Sequence, residues 1–67
     1  MDEYRLKIKE IRLAKRITQH QLAIKVGISR SFLSEIENGK WDIHLSLLCK
    51  LSKALESSPG ELIEYKK

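Results

Sequence analysis

The chain has 67 residues, a single cysteine and a formal net charge of +4, with an isoelectric point of about 9.4. This length predicts one small domain over residues 1–67, and a single cysteine excludes an internal disulfide bond. No apolar run approaches the roughly 20 residues that a membrane-spanning helix needs, and the charged N-terminus lacks the apolar segment of a signal peptide. We therefore expect a cytoplasmic protein, whose positive charge suits either a polyanionic partner or a well-solvated surface.

Apolar residues recur at helical spacing along most of the chain and predict four or five helices. The predicted helices cover about residues 3–15, 19–26, 30–37 and 45–55, with a short fifth helix that starts near residue 59. Pro59 suits the first turn of that fifth helix, directly after the capping residue Ser58. No strand is predicted, because no segment alternates apolar and polar residues for long enough. We assign Asn38-Gly39 to a helix end rather than to a hairpin.

Residues 18–29 contain the signals for two short helices with a tight connection. Thr18 is a suitable N-cap, and Gln21 completes a capping box with it. Gly27 can adopt the positive φ at which a helix commonly ends, and Ser29 is suited to cap the next helix. Two helices joined in this way form a helix-turn-helix unit, whose second helix fits the major groove of DNA.

The third predicted helix has one apolar and one polar side. Leu33 and Ile36 fall at the spacing of core-facing residues. The opposite strip is polar and consists of Arg30, Ser31, Ser34 and Glu35. Such a strip directs hydrogen-bonding groups outward from the domain.

A family resemblance is carried by residues 18–40, which have the sequence TQHQLAIKVGISRSFLSEIENGK. This segment resembles the Cro/C1-type (XRE-like) helix-turn-helix domain of phage repressors, plasmid regulators and restriction-modification controller proteins, and the resemblance extends from about Ile8 to Leu62. It implies an all-α, compact four- to five-helix domain with the lambda-repressor-like DNA-binding fold, in which helices 2 and 3 form the helix-turn-helix. It also implies a sequence-specific transcriptional regulator, a repressor or autoregulator, and not an enzyme.

The candidates for contacts with DNA bases are Arg30, Ser31, Ser34 and Glu35, because the residues at the start of a recognition helix meet base edges. Arg30 is suited to guanine, since a guanidinium can donate to both O6 and N7. Glu35 can accept from cytosine N4 or can exclude other bases by repulsion. The alternatives are an exposed arginine at a helix start and a glutamate that is solvated or paired with a nearby cation.

The candidates for contacts with the DNA backbone are Gln19, Ser29, Asn38, Lys40 and Trp41. The resemblance implies that Gln19 binds a phosphate and braces the third helix, and that Asn38 and Lys40 lie beside the backbone. Gln19 could instead be an ordinary surface glutamine. Trp41 either donates its indole N–H to a phosphate or covers the loop and the edge of the core, and the sequence favours neither.

Arg12 and Glu37 match an arginine of helix 1 and a glutamate at the end of helix 3 that the family often pairs, so the resemblance implies a structural ion pair between them. The chain departs from the family at Arg16 and Glu56, which stand where glycine is frequent at helix ends, and we expect altered caps there. It departs again at residues 43–44, where Ile-His replaces a frequent Pro-Ser and predicts a weak cap for helix 4.

Apolar residues left over near the C-terminus predict a two-fold interface formed by Leu47, Leu62, Ile63 and Tyr65. Packing of helix 5 on helices 1 and 4 is the alternative use of these side chains. We therefore expect a homodimer on an inverted-repeat operator of double-stranded DNA. The alternative function is a protein-interaction module on the same fold, such as an antitoxin-like partner or an anti-repressor.

No set of residues indicates catalysis or a metal site. His20, His44 and Cys49 lack the spacing of zinc ligands, and no nucleophile has a base and an orienting partner. Cys49 is expected in or beside the core. We expect no cofactor, no metal, no small-molecule ligand and no membrane partner.

Overall fold

The computed structural model describes residues 4–65, which form four α-helices, one 3-10 helix and two short strands. The elements in chain order are β1 (Tyr4–Leu6), α1 (Ile8–Ala14), α2 (Gln19–Val26), α3 (Arg30–Glu37), α4 (Leu45–Ala54), the 3-10 helix (Pro59–Leu62) and β2 (Ile63–Tyr65). The predicted helical fold is confirmed, with α2 and α3 at the predicted positions. No helix within the described residues is long and apolar enough to cross a membrane.

The core is built from one apolar side of each helix. α2 packs against both α3 and α4, and the 3-10 helix packs against α4. The side chains that are fully excluded from solvent are Ile8, Leu22, Leu33, Leu51, Leu55 and Leu62. Burial of each large aliphatic side chain contributes about 1.5–3 kcal/mol of transfer free energy. The position of α3 is therefore set by the packing of its apolar side against α2.

The two strands correct the prediction for both ends of the domain. Residues 4–6 were predicted in the first helix and residues 63–65 in the fifth, but β1 and β2 pair antiparallel, with Leu6 opposite Ile63. Residue 3, the predicted start of helix 1, lies outside the described residues. The prediction was wrong because a strand of three residues shows no usable alternation. Its partner is also distant in sequence, so no local signal reports the pairing.

Arg5 connects β1 to two other elements. Its Nε donates to Glu64 Oε1 of β2 at 2.5 Å, and its Nη2 donates to Glu10 Oε2 of α1. The Arg5 guanidinium, by donating to Glu10, lowers the pKa of that carboxyl group. Because all three side chains are about half exposed, each ion pair contributes only about 0–1 kcal/mol to stability.

Each of the four α-helices is followed within two residues by a residue with positive φ. After α2 and α3 these residues are glycines, Gly27 with φ 82° and Gly39 with φ 79°. After α1 and α4 they are Arg16 with φ 59° and Glu56 with φ 56°, which confirms the altered ends predicted at these two residues. A left-handed conformation costs a residue with a Cβ roughly 1–2 kcal/mol, so these two ends carry backbone strain that the glycine ends avoid.

The helix starts also follow the sequence. Thr18 and Gln21 form a reciprocal capping box at α2, and the Ser29 hydroxyl accepts from the Phe32 N–H at α3. His44, at the start of α4, makes no side-chain capping bond, as predicted.

Cys49 is exposed on α4, so the expectation of a core cysteine was wrong. Its neighbours Leu48 and Leu51 take up the core-facing positions of that helix instead.

Candidate nucleic-acid interface

Helices α2 and α3 are connected by three residues, Gly27 to Ser29. Gly27 turns the chain because its φ is positive, and Ile28 packs its partly buried side chain against the core. The connection is therefore short and anchored by an apolar contact. This short connection makes α2 and α3 a helix-turn-helix unit.

Seven polar side chains line one open groove with a volume of about 460 Å³. They are Gln19, Arg30, Ser31, Ser34, Glu35, Asn38 and Lys40. We call this surface the polar groove. It brings together all four of the predicted base-contacting residues and three of the five predicted backbone-contacting residues. Ser29 and Trp41 are the two that do not line it.

A buried ion pair lies beneath the polar groove. Arg12 Nε donates to Glu37 Oε2 at 2.8 Å, and Arg12 Nη2 donates to Glu37 Oε1 at 3.1 Å. The Arg12 side chain is 7% exposed and that of Glu37 only 2%. Arg12 Nη1 also donates to the Ile17 carbonyl at 3.0 Å. The two-pronged geometry fixes α1 relative to the end of α3.

Gln19 connects this ion pair to the groove. Its Nε2 donates to Glu37 Oε1 at 3.0 Å, and its Oε1 accepts from Arg30 Nε at 3.4 Å. The carboxylate therefore sets the orientation of the Gln19 amide, and the amide oxygen faces Arg30. Neither Nη group of Arg30 has a hydrogen-bond partner within residues 4–65, so both can donate to a ligand.

Ser29 and Trp41 are engaged within the protein. The Ser29 hydroxyl accepts from the Phe32 N–H at 3.0 Å and serves as the cap of α3. The Trp41 indole N–H donates to Glu35 Oε1 at 2.8 Å. The Trp41 ring meets Phe32 edge to face, with ring centroids 5.5 Å apart, and remains half exposed. The Trp41 ring therefore lies against α3, to which its N–H is bonded.

Sequence reasoning missed the contact between Trp41 and Glu35. The available signal was the helix-ending Gly39, which reverses the chain between the two residues. The Gly39 N–H donates to the Ile36 carbonyl and the Lys40 N–H to the Glu35 carbonyl, so the segment after α3 folds back along its last turn. Such a reversal predicts proximity, although not which atoms meet.

The predicted interface residues do not all lie on the surface. Leu62 is fully buried, so its assignment to a two-fold interface was wrong: as part of the 3-10 helix it fills the core. Leu47 is partly buried against that core. Ile63 and Tyr65, in contrast, are 39% and 69% exposed.

Two further residues extend the exposed apolar area near the paired strands. Tyr4 is 41% exposed, and Leu45 is 71% exposed at the start of α4. Tyr4, Leu45, Ile63 and Tyr65 line a common groove of about 390 Å³, and we call these four residues the terminal apolar surface. This surface could not be predicted from the sequence, because it combines residues from both ends of the chain.

Within residues 4–65, no three His, Cys, Asp or Glu side chains converge as metal ligands would.

Comparison with known proteins places this geometry in a family. A family model described as Helix-turn-helix matches residues 8–62. Control protein C.BamHI from Bacillus amyloliquefaciens is 35% identical over 60 residues, which are 88% of this chain and 74% of that protein.

Solved structures agree with this match. The restriction-modification controller protein C.AhdI from Aeromonas hydrophila superposes with a TM-score of 0.78 at 34% identity, over 82% of this chain and 83% of that one. The clp gene regulator ClgR from Corynebacterium glutamicum gives a TM-score of 0.79 at 30% identity, over 81% of this chain and 69% of that one. These proteins are regulators rather than enzymes, and the chain belongs to the Cro/C1-type (XRE-like) helix-turn-helix family of DNA-binding transcriptional regulators.

Proposed function

We propose that this regulator binds a specific double-stranded DNA operator, an inverted repeat, as a homodimer with α3 in the major groove. The observation that carries the proposal is the polar groove, in which Arg30, Ser31, Ser34 and Glu35 lie together on the outer side of α3. The buried ion pair between Arg12 and Glu37 fixes the end of α3 relative to α1. Repression or autoregulation is the outcome that such binding produces over a promoter, and DNA binding implies a cytoplasmic, nucleoid-associated protein.

The proposed contacts follow from the donors and acceptors in the groove. The free Nη groups of Arg30 match guanine O6 and N7, while Ser31 and Ser34 can donate or accept at neighbouring bases. Lys40 supplies positive charge for a phosphate just past the end of α3, and Asn38 can donate to the same strand. Trp41 is left out of the phosphate contacts in this proposal, because Glu35 already accepts its N–H.

Gln19 and Ser29 are proposed as contacts to the phosphate that lies across the start of the two helices. Gln19 lies in the first turn of α2, where backbone N–H groups favour an anion. The Ser29 hydroxyl uses its oxygen for the cap of α3 but keeps its own hydrogen to donate. Both residues therefore help to set the register of α3 on the duplex.

The proposed dimer uses the terminal apolar surface. Its side chains are large and apolar, and burial of such a surface against a second copy favours association. The terminal apolar surface is small, so we propose that two free protomers associate only weakly. DNA then holds the two protomers together on adjacent half-sites. Half-site centres would then lie about 34 Å apart, one helical turn of DNA.

The test begins with selection of bound sequences from random duplexes, followed by binding measurements on the selected operator and on all its single-base variants. Arg30→Ala should weaken operator binding by about 1–3 kcal/mol and relax the preference at one base pair. Lys40→Ala, the matched control, should weaken all sequences alike and lower the slope of log affinity against log salt by about one unit.

Three outcomes would contradict the proposal in different ways. Uniform weakening by Arg30→Ala would make Arg30 a phosphate contact. An unchanged salt slope for Lys40→Ala would remove Lys40 from the interface. A wild type that enriches no sequence, and whose weak DNA binding does not respond to salt, would favour the protein-interaction alternative.

A further inference from the structure

We infer that Trp41 is a positioning residue that holds Glu35 in the polar groove so that the groove selects cytosine at one operator position. This inference rests on the proposed function, because it names the base that the groove recognises. Trp41 itself does not contact a base. It acts only through the carboxylate of Glu35, which accepts the indole N–H at 2.8 Å.

The Trp41 ring is anchored at two points on the same helix. Its edge-to-face contact with Phe32 places the rings at an interplanar angle of 82°, and its N–H meets Glu35 in the next turn of α3. The backbone bond from Lys40 N–H to the Glu35 carbonyl, 3.0 Å long, holds the segment that carries the indole. The Glu35 side chain is thus restrained by a rigid ring rather than free to rotate toward solvent.

The restraint uses only one of the two carboxylate oxygens. Trp41 donates to Oε1, and within residues 4–65 no other side chain bonds to Glu35, so Oε2 keeps its accepting capacity. Glu35 lines the polar groove beside Ser31 and Ser34. A fixed acceptor, and not merely a negative charge, is therefore presented to the edges of the bases.

The chemistry of the major groove decides which base such an acceptor prefers. Guanine shows only the acceptors N7 and O6, and thymine shows the acceptor O4 and a methyl group, so both repel a carboxylate. Adenine offers N6–H₂ but places the acceptor N7 directly beside it. Cytosine offers N4–H₂ with no adjacent acceptor on the same base. Cytosine is therefore the base that a held carboxylate favours and the other three are disfavoured.

The experiment compares Trp41→Phe with wild type on the selected operator and its single-base variants. Phenylalanine keeps an aromatic ring against Phe32 but lacks the N–H donor. Wild type should prefer cytosine at one position by about tenfold, within the usual range for one good side chain–base contact. Trp41→Phe should lose most of that preference while the guanine preference that depends on Arg30 remains.

Glu35 variants complete the design. Glu35→Gln should move the preference at the same position toward adenine, because an amide can both accept from N6 and donate to N7. Glu35→Ala should abolish the preference, and adding Trp41→Phe to it should change nothing further, since the indole acts only through the carboxylate. Thermal melts of each variant establish that the proteins compared are folded.

Each remaining outcome overturns the inference. Retention of the cytosine preference in Trp41→Phe would show that Glu35 needs no positioning. Equal weakening of all operator variants would make Trp41 a phosphate contact. If the guanine preference depends on Arg30 while both Trp41→Phe and Glu35→Ala are neutral, this inference fails and the proposed function stands. If wild type selects no sequence, both fail.

Discussion

The polar groove and the terminal apolar surface are both exposed, but they differ in how far their side chains are already held by contacts within the chain. In the polar groove, Gln19, Arg30 and Glu35 are already hydrogen-bonded to neighbours, and the deepest support is a buried ion pair. The terminal apolar surface leaves large apolar side chains up to 71% exposed. A polar surface can thus be ordered in advance within one chain, whereas an apolar surface contributes binding free energy only when a partner covers it.

The largest expected effect comes from removing the support of the polar groove. Arg12→Met or Glu37→Gln should each lower the free energy of unfolding by about 3–5 kcal/mol, because either change leaves a buried group without its partner. The double variant should recover part of the loss, since both partners are then gone. Urea melts of the four proteins measure this, and strictly additive losses would mean that the two side chains are not coupled.

The next effect breaks the terminal apolar surface. Ile63→Asp or Leu45→Asp should abolish cooperative operator binding, a loss of about a hundredfold or about 2.7 kcal/mol, because charges would face each other across the interface. Leu45→Asp carries little risk to folding, since Leu45 is 71% exposed and an acidic residue suits the first turn of α4.

The control for this experiment is Leu13→Asp, which charges another apolar residue, 57% exposed, outside the terminal apolar surface. Binding isotherms on one and two half-sites should keep their cooperativity in this variant. Cooperative binding by folded Ile63→Asp and Leu45→Asp, or saturation of the operator by one wild-type monomer, would contradict the proposed dimer.

The smallest effect comes from a residue outside both surfaces, whose substitution should change stability alone. Arg16→Gly should raise the free energy of unfolding by about 0.5–1 kcal/mol, because glycine removes the strain at φ 59° but costs more chain entropy. In a domain of this size the melting temperature should rise by roughly 2–8 °C. Arg16→Ala is the control and should leave it nearly unchanged. A melting temperature that does not rise for Arg16→Gly would show that the strain is relieved elsewhere.

The part of the fold that was predictable is the part with local signals. Thr18 and Gln21 mark the start of α2, and Gly27 marks its end only a few residues later. The spacing of Leu33 and Ile36 determines which side of α3 faces outward. The four groove residues of α3 follow from these local signals. Gln19, Asn38 and Lys40 were assigned beside them through the family resemblance, which also named Ser29 and Trp41, and these two do not line the groove.

The rest depends on contacts between distant segments. The choice between Leu62 as core and Ile63 as surface depends on the pairing of β2 with β1, whose partners Arg5 and Glu64 are 59 positions apart. The partner of the Trp41 N–H depends on how far the chain turns back after Gly39. The periodicity of a short segment predicts neither the strand pairing nor the partner of the indole N–H, so both are seen only in the structure.

The sheet formed by β1 and β2 affects the order in which the chain folds. Helices α2 and α3 contact each other through residues close in sequence and can associate early, at little cost in loop closure. The pairing of Tyr4 with Tyr65 closes nearly the whole described chain into one loop, and the entropy of that closure is lost in a single step. We therefore expect the strands to pair last and to separate first on partial unfolding, while the helix-turn-helix remains intact.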